Sequence, residues 1–350
     1  MGETARQLRS RANAHHRRMT DIAGVINSLD GMAQKQQLVR RGARDLDLTA
    51  AVRDGSIFRA RQGWYSTLSP TDERVRAVRV GGRLTGISAI IAAGGWVLGK
   101  HSLHVSIPQN AARLRSQRNR RVRFDTTKRQ NVVLHWDDAD LGDRGTTMVV
   151  ALLDALYRVV LDESFETAIA ALDWALHTRQ IDDDDLNALV NRLPAEFRSL
   201  RDWVDADCES LPESLSRTRL RLRGHFVVTQ VPLGDTKRID LVVDGCVAIE
   251  TDGKKFHLER FDYDRHKDVE ITIERLHGLR ASAVMVFYDW ELVELAIETA
   301  LSTHVDAPAD ANSGLLHGRI VVVPGSARLR RRRCRQTPEF PKGRVPSASR

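Results

Sequence analysis

The sequence predicts a mixed α/β protein with more than one domain, and three observations lead there. A chain of 350 residues exceeds one ordinary domain. Residues 20–69 read as three short helices followed by a β-ribbon. Residues 212–301 read as helix, three strands, helix, strand and helix, an order that builds one mixed sheet with helices packed on it. With 42% hydrophobic and 29% charged residues, the composition is that of a globular protein. No run approaches the roughly 18 consecutive apolar residues of a membrane span, so no membrane partner is expected. The start, MGETARQLRSRANAHHRRM, lacks the apolar core of a secretory signal, and residues 1–19 are expected to form a disordered extension. Cys208, Cys246 and Cys334 lie far apart with no CxxC pair. That argues against a disulfide framework or a zinc ribbon and fits a reducing cytoplasm.

From Thr20, DIAGVINSL reads as a helix opened by a Thr/Asp cap, KQQLVRRG as a second ending at Gly42, and LDLTAAVRDG as a third ending at Gly55. SIFRARQGWYST alternates around Gly63 as a two-stranded wing does. This is the order of a winged helix-turn-helix over 20–69. Arg59 and Arg61 stand on the wing, where they would meet DNA phosphates. Helix three carries only Arg44 and Arg53, and winged helices also dock proteins, so DNA and a protein partner both stay open.

A middle α/β and helical region, 70–205, follows. TGISAIIAAGG reads as a helix, and SLHVSIP and NVVLHW as strands. The connecting segment RLRSQRNRRVRFDTTKR (113–129) has eight basic residues and one acid. It is either a polar connection or, through Arg118, Arg120, Arg121 and Arg123, a nucleic-acid contact. TTMVVALLDALYRVVLD, FETAIAALDWALHTRQ, DDDLNALVNRL and PAEFRSLRDWV read as helices, with Leu152, Ala155, Leu156 and Val159 on one face. The aspartates of IDDDDL point in different directions around a helix. They read as a helix start, where carboxylates favour the dipole, rather than as a metal site. The net charge of +8 lies wholly in the tail 326–350, which has eight Arg and one Lys against Glu339. That tail is expected to be disordered and to bind polyanions without sequence preference.

In the C-terminal region, 206–305, PESLSRTRLRLRG reads as a helix and HFVVTQVPL as a strand. KRIDLVVDGCVAIETDG reads as a hairpin around Asp244-Gly245. Loop length decides which side chains share a face. A two-residue turn pairs Val243 with Cys246 and separates Asp240 from Glu250. A three-residue loop, Val243-Asp244-Gly245, puts Asp240, Glu250 and Asp252 on one face and Ile239, Leu241, Val247 and Ile249 on the other. The first register buries unpaired carboxylates among large aliphatics, which is costly. The second predicts one aliphatic face and one small, acidic face.

Three carboxylates at one strand end need positive charge among them, and oxygen ligands select a hard cation, Mg²⁺ or Mn²⁺. Such an ion polarises a phosphate and lowers the pKa of a bound water. Lys254, Lys255 and His257 follow, placed to neutralise phosphate charge or move a proton. DYDRHKDVEITIERLHG then reads as a helix, ASAVMVFYDW as a strand and ELVELAIETAL as a closing helix.

RIDLVVDGCVAIETDGKKFH, with DYDRHKDVEITIERLHG and ASAVMVFYDW, resembles the endonuclease-like domain related to very-short-patch repair endonucleases. That Vsr-like group belongs to the PD-(D/E)XK superfamily and is common among actinobacterial proteins. The resemblance rests on Arg238 and Asp240, on Glu250, Asp252, Gly253 and His257, and on Asp264, Arg265 and Asp268. It implies a restriction-endonuclease-like fold and a metal-dependent DNA endonuclease or nickase. Asp240, Glu250 and Asp252 would hold the ion, Lys255 and His257 would assist, and Arg238, Asp264, Arg265 and Asp268 would buttress the site. Glu213 resembles the helical glutamate that often completes such sites, or else caps its own helix. Phe287 stands where the family carries an arginine in the strand after the helix. RQGWYS, GGRLTGISAIIAAGGWVL and LHVSIPQNAARLRS resemble the AbiEi-type antitoxin domain. The alternative implied function is therefore a non-catalytic, antitoxin-like regulator or binding module with a degenerate nuclease fold.

Overall fold

A computed structural model describes residues 21–125, 131–137, 145–252 and 261–305. The extension 1–19 and the tail 326–350 lie outside the described residues. The chain divides into two compact units, residues 1–89 with 101–151 and residues 90–100 with 152–350. The division at 151/152 falls inside the stretch 70–205 that the sequence groups as one region. Both units mix helices with small sheets, and no described helix is long and apolar enough to cross a membrane.

The N-terminal unit opens with α1 (Ile22–Asn27), β1 (Met32–Gln34), α2 (Lys35–Arg40), α3 (Asp45–Arg53), β2 (Phe58–Arg61) and β3 (Trp64–Ser66). The strands form an antiparallel sheet in the order β1-β3-β2. Its three helices and ribbon lie where the caps and breakers put them: Asp21 Oδ1 accepts from Gly24 N at 2.9 Å, and Gly42 and Gly55 take φ of +91° and +82° behind α2 and α3. Strand β1 is an addition. Three residues are too few to show alternation, and Met32–Gln34 becomes a strand because it pairs with β3, from Met32↔Ser66 to Gln34↔Trp64. Ile22, Ile26, Leu38, Leu48, Ile57 and Tyr65 form the buried core beneath.

Next come α4 (Glu73–Val80), β4 (Arg83–Leu84), α5 (Gly86–Ala92), β5 (Leu103–Pro108) and β6 (Val132–Asp137). The sheet order is β4-β5-β6, with β5 and β6 parallel. Within their connection, Ser116 N donates to Val122 O at 2.9 Å and Phe124 N to Leu114 O at 3.1 Å, which makes 114–124 a small hairpin. Buried Gln117 pins it to α4: its carbonyl accepts from Arg79 Nη1 at 2.7 Å and its side chain from Arg76 Nε at 2.9 Å.

The C-terminal unit carries α6 (Leu152–Asp162), α7 (Phe165–His177), α8 (Asp183–Arg192), a 3₁₀ stretch (Ala195–Trp203) and α9 (Leu211–Arg223). One expectation is corrected here. The helix foreseen from TTMVV starts only at Leu152, because Val150 N donates to Leu84 O and Val149 bridges Leu84, which draws the preceding residues onto β4. PAEFRSLRDWV is helical as read, winding as a 3₁₀ helix over Ala195–Trp203. IDDDDL is the helix start it was read as: Asp182 Oδ1 accepts from Asp185 N at 2.8 Å, and Asp183, Asp184 and Asp185 fill the first turn.

The sheet of this unit runs β10-β9-β8-β7, from β7 (Val227–Leu233), β8 (Lys237–Val243), β9 (Val247–Asp252) and β10 (His277–Ser282). Helices α10 (Phe261–Ile273), α11 (Ala283–Tyr288) and α12 (Trp290–Val305) complete it. The strand read as ASAVMVFYDW is a correction. Pairing with β9 begins at His277↔Val247 and ends at Ser282↔Asp252, where β9 itself ends. Ser282 then caps a helix, its Oγ accepting from Met285 N at 3.2 Å, and Val286 is buried in the core. Phe287 is thus a helical residue with no strand position to compare, and the arginine of that strand is Arg280.

Both sheet faces are covered. Leu241, Val243, Val247 and Ile249 pack with Leu215, Val286 and Ile297, whereas Val242 and Ala248 pack with Ile239 and Ile271. The face expected to be only small and acidic therefore holds a second apolar cluster under α10, and Ile239 belongs to it instead of to the Leu241 side.

His225 ties the hairpin turn to α12, with Nδ1 2.7 Å from Asp244 and Nε2 2.9 Å from Glu298. Burial alone would lower its pKa, but the hydrogen bonds and charges of the two carboxylates outweigh it and raise the value above 6.5. A raised folded-state pKa means that the strap stabilises fully below the unfolded value and weakens as pH rises through the folded one. Thermal denaturation should therefore show stability falling from mildly acidic to mildly alkaline pH, and His225→Gln should flatten that fall. An unchanged pH dependence in the variant would remove the strap from the account.

Candidate active site

The site is built on the β8–β9 hairpin. The pairs Val243↔Val247, Val242↔Ala248 and Leu241↔Ile249 leave Asp244-Gly245-Cys246 as the loop. This corrects the expected loop by one residue. Asp244 and Gly245 take φ of +49° and +70°, and Cys246 N closes the turn on Val243 O at 3.0 Å. Asp244 tolerates that backbone because its carboxylate accepts from Phe226 N at 2.9 Å and meets His225. A three-residue loop keeps the face parity whichever three residues it uses, and the ladder carries that parity as far as Leu241↔Ile249.

Beyond Leu241↔Ile249 the ladder stops and side chains take over. Asp240 Oδ2 accepts from Thr251 N at 2.7 Å and Thr251 Oγ1 at 3.0 Å, while Asp240 N points to Glu250 Oε1 at 3.4 Å. Glu250 is 6% exposed. Its Oε2 forms an ion pair with the Lys267 ammonium from α10, which is also buried. Burial and the Asp240 charge push the Glu250 carboxyl up to about 7, and Lys267 only partly opposes them.

Glu213, in the first turn of α9, is buried. Its Oε1 accepts from Ser210 Oγ at 2.6 Å, and its Oε2 from Glu209 N at 3.0 Å and Gln230 Nε2 at 2.9 Å. It therefore caps its helix. Burial raises its pKa, and the Asp240 charge adds to the rise, which couples it to the carboxylate pair.

Around this centre, Arg238 is an exposed partner of Glu209 at 3.0 Å. Asp268 accepts from Arg280 Nε at 2.9 Å and Nη2 at 2.8 Å, and Arg280 is the register partner of Glu250. Arg265 is exposed. Asp252 closes β9. The side chains of Asp252 and Asp264, and the whole of Gly253, Lys254, Lys255 and His257, lie outside the described residues.

Lys267 escaped the sequence reading, although α10 carried a signal for it. Ile271 is buried against Ala248, and Lys267 stands one turn earlier on the same helical face, so it must meet the same sheet. No protein-family model matches this chain, and no curated protein is significantly similar to it.

The basic residues of the N-terminal unit divide by what they touch. Arg61 donates to the carbonyls of Arg79 at 3.2 Å, Val80 at 2.6 Å and Arg113 at 3.2 Å, bracing the end of α4. Arg59 is exposed and lies over the Tyr65 ring at 5.4 Å. Arg118, Arg121 and Arg123 are exposed on the 114–124 hairpin and Arg120 is half-buried. Among the described residues, none of these four has an acidic partner.

Proposed function

We propose that this chain is a metal-dependent DNA endonuclease or nickase, with a PD-(D/E)XK-type centre on the β8–β9 hairpin. The observation that supports it is the Asp240–Glu250 pair: Asp240 N lies 3.4 Å from Glu250 Oε1, and the Glu250 carboxyl is pushed up to about 7 first by burial and then by the Asp240 charge. All the donors are carboxylate oxygens, which fit a hard divalent ion. Among the described residues Asp240 Oδ1 accepts no hydrogen bond. Asp240, Glu250 and Asp252 would hold Mg²⁺ or Mn²⁺, with Glu213 coupled to them through Asp240. When bound, the ion supplies Lewis acidity toward a phosphate and a lowered pKa for an attacking water.

The chain supplies the rest. Thr251 fixes the Asp240 carboxylate through two hydrogen bonds. Lys267 places a buried ammonium on Glu250, where it lowers the cost of bringing a phosphate near the acids. Lys255 and His257 neutralise phosphate charge and move a proton. Arg59, Arg118, Arg120, Arg121 and Arg123 hold a nucleic-acid backbone, and Arg61 acts behind them as a brace. In the same reading the α1–β3 segment is a winged helix that meets DNA or a protein partner.

The competing reading, an antitoxin-like regulator with a degenerate nuclease fold, draws on the Glu250–Lys267 pair, which neutralises one acid without an ion. Plasmid nicking in Mg²⁺ or Mn²⁺ separates the two. Asp240→Asn and Glu250→Gln are each expected to lower cleavage by about 10²-fold or more. Cleavage that survives both substitutions would sink the site, and a wild type that neither cuts nor binds Mn²⁺ would favour the regulator.

A further inference from the structure

The N-terminal unit contains a cleft of about 610 Å³, within the size range of small-ligand sites. It lies where the parallel strands β5 and β6 end together, at Pro108 and Asp137. The carboxyl ends of parallel strands are where open α/β sheets take ligands. Gly82 forms part of its wall, lying so close to β5 that a Cβ there would meet Ser106 O at 1.9 Å.

The lining has two characters. Trp64 is half-buried and packed against the Met32–Val78 cluster while lining the cleft. Its cross-strand partner Arg61 lines the cleft too, together with Arg83 and the carboxylate of Asp137. Three backbone carbonyls aim the Arg61 guanidinium, and Arg83 Nη1 donates to Thr146 O at 3.2 Å. Among the described residues, the Arg61 Nε–H and one Nη2–H make no hydrogen bond. Burial, and after it the neighbouring Arg115, lowers the Arg61 pKa. Arg113, which Arg61 holds by its carbonyl, leads into the arginine hairpin.

We propose that this cleft binds one nucleotide, its base against Trp64 and its phosphate toward Arg61 and Arg83. A flat apolar ring joined to an anion uses both the indole and the arginines, whereas an acidic peptide would use the arginines and leave the indole unmatched. The ligand is either a free mononucleotide or a nucleotide turned out of a strand held on the hairpin. The second source alone rests on the nucleic-acid reading above.

The test uses the full chain and two variants, Thr147→Trp, which fills the cleft from an exposed rim position, and Arg83→Gln, with thermal denaturation confirming that both fold. Calorimetric titration with AMP, CMP, GMP and UMP addresses the free ligand. A single-stranded oligonucleotide with one 2-aminopurine, whose fluorescence changes when the base leaves its neighbours' stack, addresses the extruded one. Either a mononucleotide that binds about tenfold more tightly than its nucleoside, or such a fluorescence change, supports the cleft if Thr147→Trp weakens it by about tenfold or more and Arg83→Gln weakens it too. The first outcome identifies the free source and the second the extruded one. Neither response, or responses untouched by Thr147→Trp, overturns the proposal. Duplex binding and Mg²⁺-dependent nicking, measured on the same variants, keep the readings apart. Both can persist in Thr147→Trp if only the cleft is wrong, and both can be absent while mononucleotides bind if only the nuclease reading is wrong.

Discussion

Replacing Asp173 by alanine is expected to lower the stability of the C-terminal unit by about 3–5 kcal/mol, the cost of removing one partner of a buried ion pair. Asp173 sits on α7 with no exposure and Arg217 on α9 with 2%. The carboxylate accepts from Arg217 Nη2 at 2.9 Å, Ser214 Oγ at 2.6 Å and Asp205 N at 2.7 Å. Without it, the nearest acid to Arg217 is Asp205, at 3.7 Å, and a buried hydroxyl and a backbone N–H lose their acceptor. The same helix α9 carries Glu213, so the network also holds a member of the acid cluster in place. Urea denaturation should show a large fall in midpoint with an unchanged slope. The double variant Asp173→Leu/Arg217→Met should recover at least half of the loss, because it leaves no orphaned charge. A loss below about 1 kcal/mol, the worth of an exposed pair, would show that water reaches the network.

The nearness of Asp240 and Glu250 was legible because an odd loop brings those two positions toward each other across the hairpin. The shift from Val243-Asp244-Gly245 to Asp244-Gly245-Cys246 keeps that parity through Leu241↔Ile249, and Asp240 N lies 3.4 Å from Glu250 Oε1. The register itself was not legible. It depends on Asp244 accepting a left-handed backbone, and that depends on contacts with Phe226 and His225, about twenty residues away in sequence. The strand at 277–282 was misplaced for a related reason. AVMVFY has strong β propensity, but β9 runs out opposite Ser282 and a serine at that point caps a helix. Propensity lost to the length of the partner strand. Arg61 shows the limit for surface residues: a ribbon arginine reads as a phosphate contact, and only the fold reveals that three carbonyls hold it.

Lys267→Met is expected to lower nicking by about 10²–10³-fold, as loss of a pre-organised charge in an active site does, while tightening Mn²⁺ binding. The two effects have one cause. Glu250 Oε2 faces the Lys267 ammonium, so a divalent ion held as proposed would share Glu250 with a resident cation. Removing the lysine takes away the charge that opposes the rise at Glu250, so a proton or an ion must then compensate the pair. The apo variant should therefore be less stable than wild type, and Mn²⁺ should raise its melting temperature by more than it raises that of wild type, by linkage. Lys267→Arg should restore the stability, and only part of the nicking, because a planar guanidinium cannot take the place of a compact ammonium. Nicking by Lys267→Met within about threefold of wild type, against the expected 10²-fold loss, would take the lysine out of the chemistry and leave it as a structural partner of Glu250. A loss of nicking without any gain in Mn²⁺ affinity would mean that Glu250 and the ion do not meet, and that the carboxylate pair serves the hairpin alone.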